Sequence, residues 1–311
     1  MIYSMPEPAP HDVTHDVDRV GVIGLGAMGR PMTEHLIRRP ATAVAIHGRD
    51  QDRYAELLDA GARWHDTPRS LATDATVVLL MLPDLPQVED VLAGEDGLLA
   101  AQPDDLLLVV SSTSSPTGVR RLGERLTRET DGRVRVVDAP VSGGVEGAGD
   151  GTLSIMVGGS DLDARRAMAV LEACGRPFHL GPLGSGEVAK ACNQLIVAAA
   201  VLALGEAAVL ADRSGLELDT LFELFAGGYA DSRILRTRGE RMITDDLSPA
   251  AMARYVLKDL DFATDVATAT RTDAVLLPAV RAAFADLVAR GMGDSDMAVT
   301  KRYTEERSRR R

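Results

Sequence analysis

Three polar side chains stand together at the start of a stretch that is otherwise apolar, and one of them is a lysine. Lys190, Asn193 and Gln194 have the spacing i, i+3 and i+4, so they share one face of a predicted helix. Apolar residues follow them over 195–204. Burial among such residues lowers the pKa of a lysine because it disfavours the charged form, which makes Lys190 a candidate general acid or base near neutral pH.

A glycine-rich turn offers a second set of polar groups. Ser142, Gly143 and Gly144 follow a predicted strand and combine a hydroxyl with backbone N–H groups that no large side chain covers. Such a turn can bind an anion. It predicts a site for the carboxylate of a small-molecule substrate, and Asn193, with Gln194, is expected to orient that substrate.

A third motif indicates a dinucleotide. Gly24, Gly26 and Gly29 form G-x-G-x-x-G, with Ala27 and Met28 inside it, between the first predicted strand and the first predicted helix. The glycines allow a tight turn, a close approach of the pyrophosphate and close packing of helix on strand. The phosphates then lie against the start of the helix.

The end of the second predicted strand bears on the choice of cofactor. Arg49 lies twenty residues after Gly29. Its guanidinium suits the 2′-phosphate of NADP, which is the preferred prediction. Asp50 follows directly, and a shift of one residue in the turn would present a carboxylate to the ribose of NAD instead, so NAD stays open.

These motifs need a scaffold that brings strand ends together. Short apolar runs alternate with segments of helical period in the first half, which predicts a doubly wound α/β domain over 19–181. The predicted strands are Val20–Ile23, Ala43–Ile46, Thr76–Met81, Leu106–Val110 and Val134–Val137, and the predicted helices are Met28–Arg38, Asp52–Leu58, Pro86–Val91 and Pro116–Leu126. Leu82, Pro83 and Thr113 follow two of these strands, at the sheet edge where such folds bind ligands.

The second half has a different rhythm. A long helix is predicted over Glu187–Arg213, with Gly215 as its stop signal, and further amphipathic stretches cover 217–225, 249–270 and 275–290. An all-helical domain is therefore expected over 182–311, with the long helix bridging the two halves. Residues 1–18 are interpreted as a disordered leader without the apolar core of a signal peptide.

Composition excludes several classes of function. The net charge of −12 argues against nucleic-acid binding, and the basic run Arg307, Arg309, Arg310 and Arg311 is interpreted as a frayed tail. The stretch 195–204 is shorter than the roughly 20 apolar residues of a membrane span. Cys174 and Cys192 lack metal-ligand spacing and are interpreted as reduced structural thiols, so no metal and a cytoplasmic location are expected.

Together these motifs resemble the β-hydroxyacid dehydrogenase (3-hydroxyisobutyrate dehydrogenase) family over about residues 19–300. The resemblance rests on G-L-G-A-M-G at 24–29, S-T-S-S-P at 112–116, D-A-P-V-S-G-G at 138–144, G-S-G-E-V-A-K-A-C-N-Q at 184–194 and K-D-L at 258–260. The Asn193-Gln194 pair and the stretch 227–243 are most similar to the tartronate semialdehyde (2-hydroxy-3-oxopropionate) reductase branch.

The resemblance implies roles for particular residues. Lys190 is expected to be the catalytic acid or base, Ser142 to Gly144 to hold the substrate carboxylate, and Lys258 to lie near the nicotinamide. It also implies a homodimer or homotetramer formed through the helical half. Val110 stands where the family often has an acidic residue, and Asn replaces Gln194 in some members, so these positions leave the exact substrate open.

Two alternatives remain beside a 3-hydroxyacid dehydrogenase. Imine reductases are similar in fold and cofactor motif, but they typically lack a lysine at the position of Lys190. A catalytically silent oligomeric module that keeps the cofactor as structure would be favoured by loss of that lysine, which this chain retains.

Overall fold

The computed structural model describes residues 18–309 and contains a six-stranded parallel sheet. The strands lie in the order β3-β2-β1-β4-β5-β6, in which the chain moves outward from β1 in both directions. This is the order of a doubly wound dinucleotide-binding sheet, so the predicted fold class is confirmed. The strands are β1 Asp18–Ile23, β2 Thr42–His47, β3 Arg63–Trp64, β4 Val77–Leu80, β5 Leu106–Val110 and β6 Val134–Asp138.

Helices cover both faces of this sheet, which explains the unbroken apolar strands. Every residue of β4 and β5 is buried. Alternate strand residues enter two separate apolar cores, as Leu79 and Leu80 do, because successive side chains point to opposite faces. The helices between strands are α1 Gly29–Arg38, α2 Ala55–Asp59, α3 Pro68–Asp74, α4 Leu85–Leu92 and α5 Pro116–Glu129.

A second, three-stranded sheet follows β6, and the sequence did not predict it. Its strands are β7 Val141–Ser142, β8 Leu153–Val157 and β9 Gly175–His179, with β7 antiparallel and β9 parallel to β8. Helices α6 Gly144–Gly149 and α7 Asp161–Leu171 lie between these strands in the chain. The two residues of β7 are too few to show a period, and Pro177 interrupts the apolar pattern of β9.

The rest of the described chain is helical. Its helices are α8 Ser185–Arg213, α9 Leu218–Ala226, α10 Arg233–Ile243, α11 Ala253–Thr270, α12 Leu276–Leu287 and α13 Thr300–Arg309. They enclose a separate apolar core with Phe284 and Tyr303 at its centre. The helical second half is thus confirmed, while a domain boundary near residue 181 stays a prediction.

The long helix α8 organises this second half. By length and composition alone α8 could cross a membrane. Its apolar part is longer than the stretch 195–204 on which the sequence-based expectation rested. It packs against α10, α11, α12 and α13, as the central helix of a bundle does. Its outer face is left exposed, with Ile196 and Leu210 each 70% accessible.

Two predictions at the chain ends need correction, and one helix of the bundle was not predicted. The expectation of a frayed tail is wrong for Arg307 and Arg309, because both belong to α13, and Arg307 donates to the Tyr303 hydroxyl at 2.7 Å. The predicted leader over 1–18 ends one residue too late, because Asp18 already begins β1. Residues 1–17 and 310–311 lie outside the described part. Helix α10 was missed because its four arginines weaken the apolar pattern.

Cys174 and Cys192 are both free but differ in environment. Cys174 is fully buried, and burial raises the pKa of its thiol to about 12. It is a structural thiol, as predicted. Cys192 lies exposed on the outer face of α8, so for this residue the interpretation as a structural thiol is wrong.

Candidate active site

The glycine motif forms the turn between β1 and α1. Gly24 has φ +101°, and a Cβ atom there would lie 2.2 Å from the Met81 carbonyl oxygen. Ala27 and Met28 complete the turn directly before the helix. By contrast, a Cβ atom on Gly26 would meet no protein atom within 4 Å. The turn is therefore tight where it touches the sheet and open where a pyrophosphate would approach, so these residues fit a dinucleotide.

Arg49 and Asp50 lie after β2, beside this turn. The Asp50 carboxylate accepts a hydrogen bond from the Asp52 N–H at 3.2 Å and caps the short 3-10 helix that follows. Arg49 is exposed, and no hydrogen bond or ion pair engages it among residues 18–309. The arginine is thus free to meet a ligand, whereas the aspartate is engaged by its own backbone.

Lys258 joins the ends of two strands to the helical half. From α11 its Nζ donates to the Pro83 carbonyl oxygen at 3.0 Å and to the Thr113 carbonyl oxygen at 2.8 Å. The neighbouring Leu82 N–H donates to the Ser112 hydroxyl at 3.2 Å, which ties the loops after β4 and β5 together. The structure therefore brings Leu82, Pro83, Thr113 and Lys258 to one place.

A buried carboxylate at the end of β6 fixes the start of α8. Asp138 accepts hydrogen bonds from the Gly184 N–H at 2.6 Å and from the Glu187 N–H at 2.8 Å. Burial raises the pKa of Asp138 to about 6, against the effect of these two bonds. The sheet and the long helix are thereby held in one fixed relation.

Glu187 forms the next contact along α8. Its carboxylate accepts from the Ser114 hydroxyl at 2.7 Å and from the Ser114 N–H at 3.0 Å. Burial raises the pKa of Glu187 well above its usual range, although both bonds oppose that shift. This contact anchors the loop after β5 to the helix that carries Lys190.

Lys190 lies one turn further on and is almost fully buried. Its Nζ donates to the Val141 carbonyl oxygen at 2.8 Å, beside the glycine-rich turn. Burial lowers the pKa of Lys190, and the positive charge of Lys258 adds to this, while Asp259 and Glu187 oppose it. The lysine amine is thus fixed in position, and its pKa is moved toward neutrality, as the sequence predicted.

The amides on the same face of α8 form a chain of hydrogen bonds. The Ser142 hydroxyl donates to the Asn193 side-chain oxygen at 3.4 Å, and Asn193 donates to the Gln194 oxygen at 2.8 Å. Gln194 in turn donates to Asp259 Oδ2 at 2.6 Å. The polar face predicted from the sequence therefore connects the glycine-rich turn with α11.

The backbone of the glycine-rich turn adopts angles that favour glycine. Gly143 and Gly144 have φ angles of +144° and +69°, which other residues rarely adopt. Arg233, the first residue of α10, donates to the Gly143 carbonyl oxygen at 3.2 Å. The turn is thus held from both α8 and α10.

Several residues of this site were not singled out from the sequence. Asp138, Glu187 and Asp259 stand inside quoted motifs, but an acidic residue in a helix or at a strand end usually faces solvent. Their partners lie far away in the chain, such as Ser114 for Glu187. Within the described residues, no group of three or more His, Cys, Asp or Glu side chains could hold a metal ion.

Comparison with known proteins supports the resemblance. Residues 19–189 match the NAD binding domain of 6-phosphogluconate dehydrogenase, and residues 184–303 match the NAD-binding region of NADP-dependent 3-hydroxyisobutyrate dehydrogenase. The 2-hydroxy-3-oxopropionate reductase of Escherichia coli is 38% identical over 253 residues, which cover 81% of this chain and 85% of that protein. The chain belongs to the 3-hydroxyisobutyrate dehydrogenase family.

Members of this family differ in substrate. The NAD-dependent L-serine dehydrogenase of Pseudomonas aeruginosa is 32% identical over 91% of this chain and 97% of its own length. The Mycobacterium tuberculosis 3-hydroxyisobutyrate dehydrogenase with L-serine has a TM-score of 0.77 at 30% identity, covering 91% of this chain and 97% of that one. The protein is thus an NAD(P)-dependent oxidoreductase of the 3-hydroxyacid dehydrogenase family.

Substitution by alanine should have different effects at two glycines of the cofactor turn, impairing cofactor binding at Gly26 and protein stability at Gly24. Gly26→Ala should leave the melting temperature unchanged, because its Cβ atom meets only open space, yet weaken NADPH binding by at least about tenfold. Gly24→Ala should lower stability by several kcal/mol, of which roughly 1–3 is backbone strain. Thermal melting and titration of NADPH fluorescence would measure both effects. Wild-type NADPH affinity in Gly26→Ala would contradict this placement of the cofactor.

Proposed function

We propose that this protein interconverts a small 3-hydroxyacid and the corresponding semialdehyde acid, with 2-hydroxy-3-oxopropionate as the preferred example. The observation that carries the proposal is the buried Lys190, whose amine is held at the Val141 carbonyl beside a turn suited to a carboxylate. A bound NADPH would supply the hydride to the aldehyde carbon. The lysine would supply the proton.

In this mechanism each polar group of the site has one task. The Ser142 hydroxyl, which would turn from its long 3.4 Å bond to Asn193, and the backbone N–H groups of Gly143 and Gly144 bind the substrate carboxylate. Asn193, held by Gln194, orients the substrate. Lys190 donates its proton to the forming alkoxide during reduction and accepts a proton from the hydroxyl during oxidation.

The position of the lysine is what makes this exchange possible. A neutral amine keeps two N–H groups and can still donate to the Val141 carbonyl oxygen, so the lysine need not move when it loses a proton. Because burial lowers its pKa, the charged form gives up its proton more readily than an exposed lysine does. Lys258, held by the Pro83 and Thr113 carbonyls, would contact the nicotinamide side of the site.

For the cofactor we propose NADP rather than NAD. Arg49 is exposed and has no partner among the described residues, while Asp50 is engaged in capping. A free guanidinium at this position favours the 2′-phosphate, because the pair can form two charge-assisted hydrogen bonds. The description of the matched C-terminal family as NADP-dependent supports the same choice.

The two alternatives have less support. A silent cofactor-binding module would leave the buried lysine without a task, and imine reductases typically lack a lysine at the position of Lys190, which this chain retains. The 38% identity to 2-hydroxy-3-oxopropionate reductase also favours an acid substrate.

The outer face of α8 supports the prediction of a homodimer or homotetramer. Ile196 and Leu210 are exposed on this helix, with the small Ala203 between them. A contiguous apolar face of this kind is typical of a helix that packs against another chain. The cytoplasmic location stays a prediction, and several relatives are named as mitochondrial.

Lys190→Ala should lower turnover by about 10²–10⁴-fold in both directions, because proton transfer by a positioned side chain contributes that much. Reduction by the wild type should slow as pH rises through the lowered pKa of Lys190, since the protonated amine is the acid. Absorbance at 340 nm with 2-hydroxy-3-oxopropionate, glyoxylate, succinic semialdehyde and methylmalonate semialdehyde measures both. NADPH binding should be unchanged in the variant.

Lys301→Ala serves as the control, because it removes a lysine that pairs with Asp212 near the other end of α8, 22 residues along the helix from Lys190. More than about one tenth of wild-type turnover in Lys190→Ala would exclude the lysine as the acid. Absence of turnover with every acid, together with reduction of cyclic imines, would favour the imine reductase.

Arg49→Ala should raise the KM for NADPH by about 10- to 100-fold and leave the KM for NADH nearly unchanged, because only NADPH carries the phosphate that the guanidinium would bind. Initial rates at varied cofactor concentration measure this. Arg128→Ala, an equally exposed arginine on α5, is the matched control. A lower KM for NADH than for NADPH in the wild type would overturn the assignment.

A further inference from the structure

Asp259 is a buried carboxylate whose two oxygens differ in their contacts. Oδ2 accepts the 2.6 Å hydrogen bond from Gln194. Oδ1 is buried and accepts no hydrogen bond from any described residue. Buried carboxylate oxygens are nearly always paired, so this one needs an explanation.

Neighbouring cations do not satisfy the free oxygen. The nearest is Lys258 Nζ at 3.8 Å, which is beyond hydrogen-bond distance. Two of the three hydrogens of that ammonium group are already donated to the Pro83 and Thr113 carbonyls. Lys190 interacts with Asp259 through charge, but its amine donates to Val141.

The location of this oxygen is specific. Asp259 lies between the helix that carries Lys190 and the lysine that joins the loops after β4 and β5. Gln194 fixes the carboxylate from one side, so Oδ1 has one orientation. Asp259 interacts by charge with both Lys258 and Lys190, so the free acceptor lies between the proposed acid and the lysine on the proposed cofactor side.

We propose that Asp259 Oδ1 accepts a hydrogen bond from a second, non-reacting hydroxyl of the substrate and thereby selects acids that carry a hydroxyl beside the reacting carbon. The inference rests on the proposed function and names the substrate class more narrowly. Asp259 is then a specificity-determining residue, and Gln194 is the residue that positions it. A site built to accept from a hydroxyl discriminates strongly against the analogue that lacks it.

Two stable acids form a matched pair for the test. Glycerate and 3-hydroxypropanoate differ only in the hydroxyl next to the carboxylate, and both carry the terminal alcohol that would be oxidised. In the wild type, kcat/KM with NADP should favour one enantiomer of glycerate over 3-hydroxypropanoate by about 10- to 100-fold, the range of a hydrogen bond to a charged group.

Asp259→Leu should bring this ratio to about one and remove the preference between glycerate enantiomers. Asp259→Asn should give an intermediate ratio, because its oxygen serves Gln194 and only a neutral amide remains for the hydroxyl. Loss of the carboxylate also changes the protonation of Lys190, but this affects both substrates alike and cancels in the ratio. Asp261→Asn is the matched control and should keep the wild-type ratio. Asp261 lies two residues further along α11 and is ion-paired with Arg281.

Calorimetric binding of the two acids to the wild type and to Asp259→Asn separates this inference from the proposed function. If the ratio of the affinities for glycerate and 3-hydroxypropanoate falls in Asp259→Asn, the role of Asp259 is supported even when neither acid is oxidised. In that case only the proposed reaction would be wrong. Turnover of both acids with the same ratio in the wild type and both variants would overturn the inference while leaving the reaction intact. An equal affinity for both acids in the wild type would overturn it as well.

Discussion

The attachment of α8 to the end of β6 is the constraint on which the site depends. Asp138 receives two backbone N–H groups from the first residues of the helix, so the helix direction is set by the sheet. The approach is close, because a Cβ atom on Gly186 would lie 2.1 Å from the Met156 carbonyl oxygen. Lys190 is on the second turn of α8, and this arrangement places its amine at the Val141 carbonyl oxygen.

The charged groups inside the site act on the pKa of Lys190 in opposite directions. Two buried carboxyl groups, Glu187 and Asp259, stabilise its protonated form, while burial and Lys258 favour the neutral amine. Each carboxyl group is itself held by a neutral donor, Ser114 or Gln194. Opposing influences of this kind lower the pKa of the lysine from its ordinary value without leaving an isolated buried charge.

The sequence predicted those parts of the fold that depend on local pattern. Five of the six strands of the large sheet and the helix α8 follow from apolar runs and their lengths, and Lys190 follows from being a cation within such a run. β3 and β7 have only two residues each, too few for any period. Ser114 contacts Glu187 across 73 residues of chain, and Asp259 contacts Gln194 across 65 residues. No local sequence pattern predicts contacts at such separations. The substrate roles of the predicted residues stay predictions.

The protonation of Lys190 can be measured directly because the chain has only three lysines, Lys190, Lys258 and Lys301. Labelling the lysine side chains with carbon-13 at Cε gives three NMR signals, and Lys190→Arg identifies the relevant one. Titration should show Lys190 with a pKa below the ordinary lysine value of about 10.4, and a still lower pKa in Asp259→Asn, because a stabilising negative charge is lost. A Lys190 signal that titrates at or above the ordinary value would contradict its role as the buried proton donor.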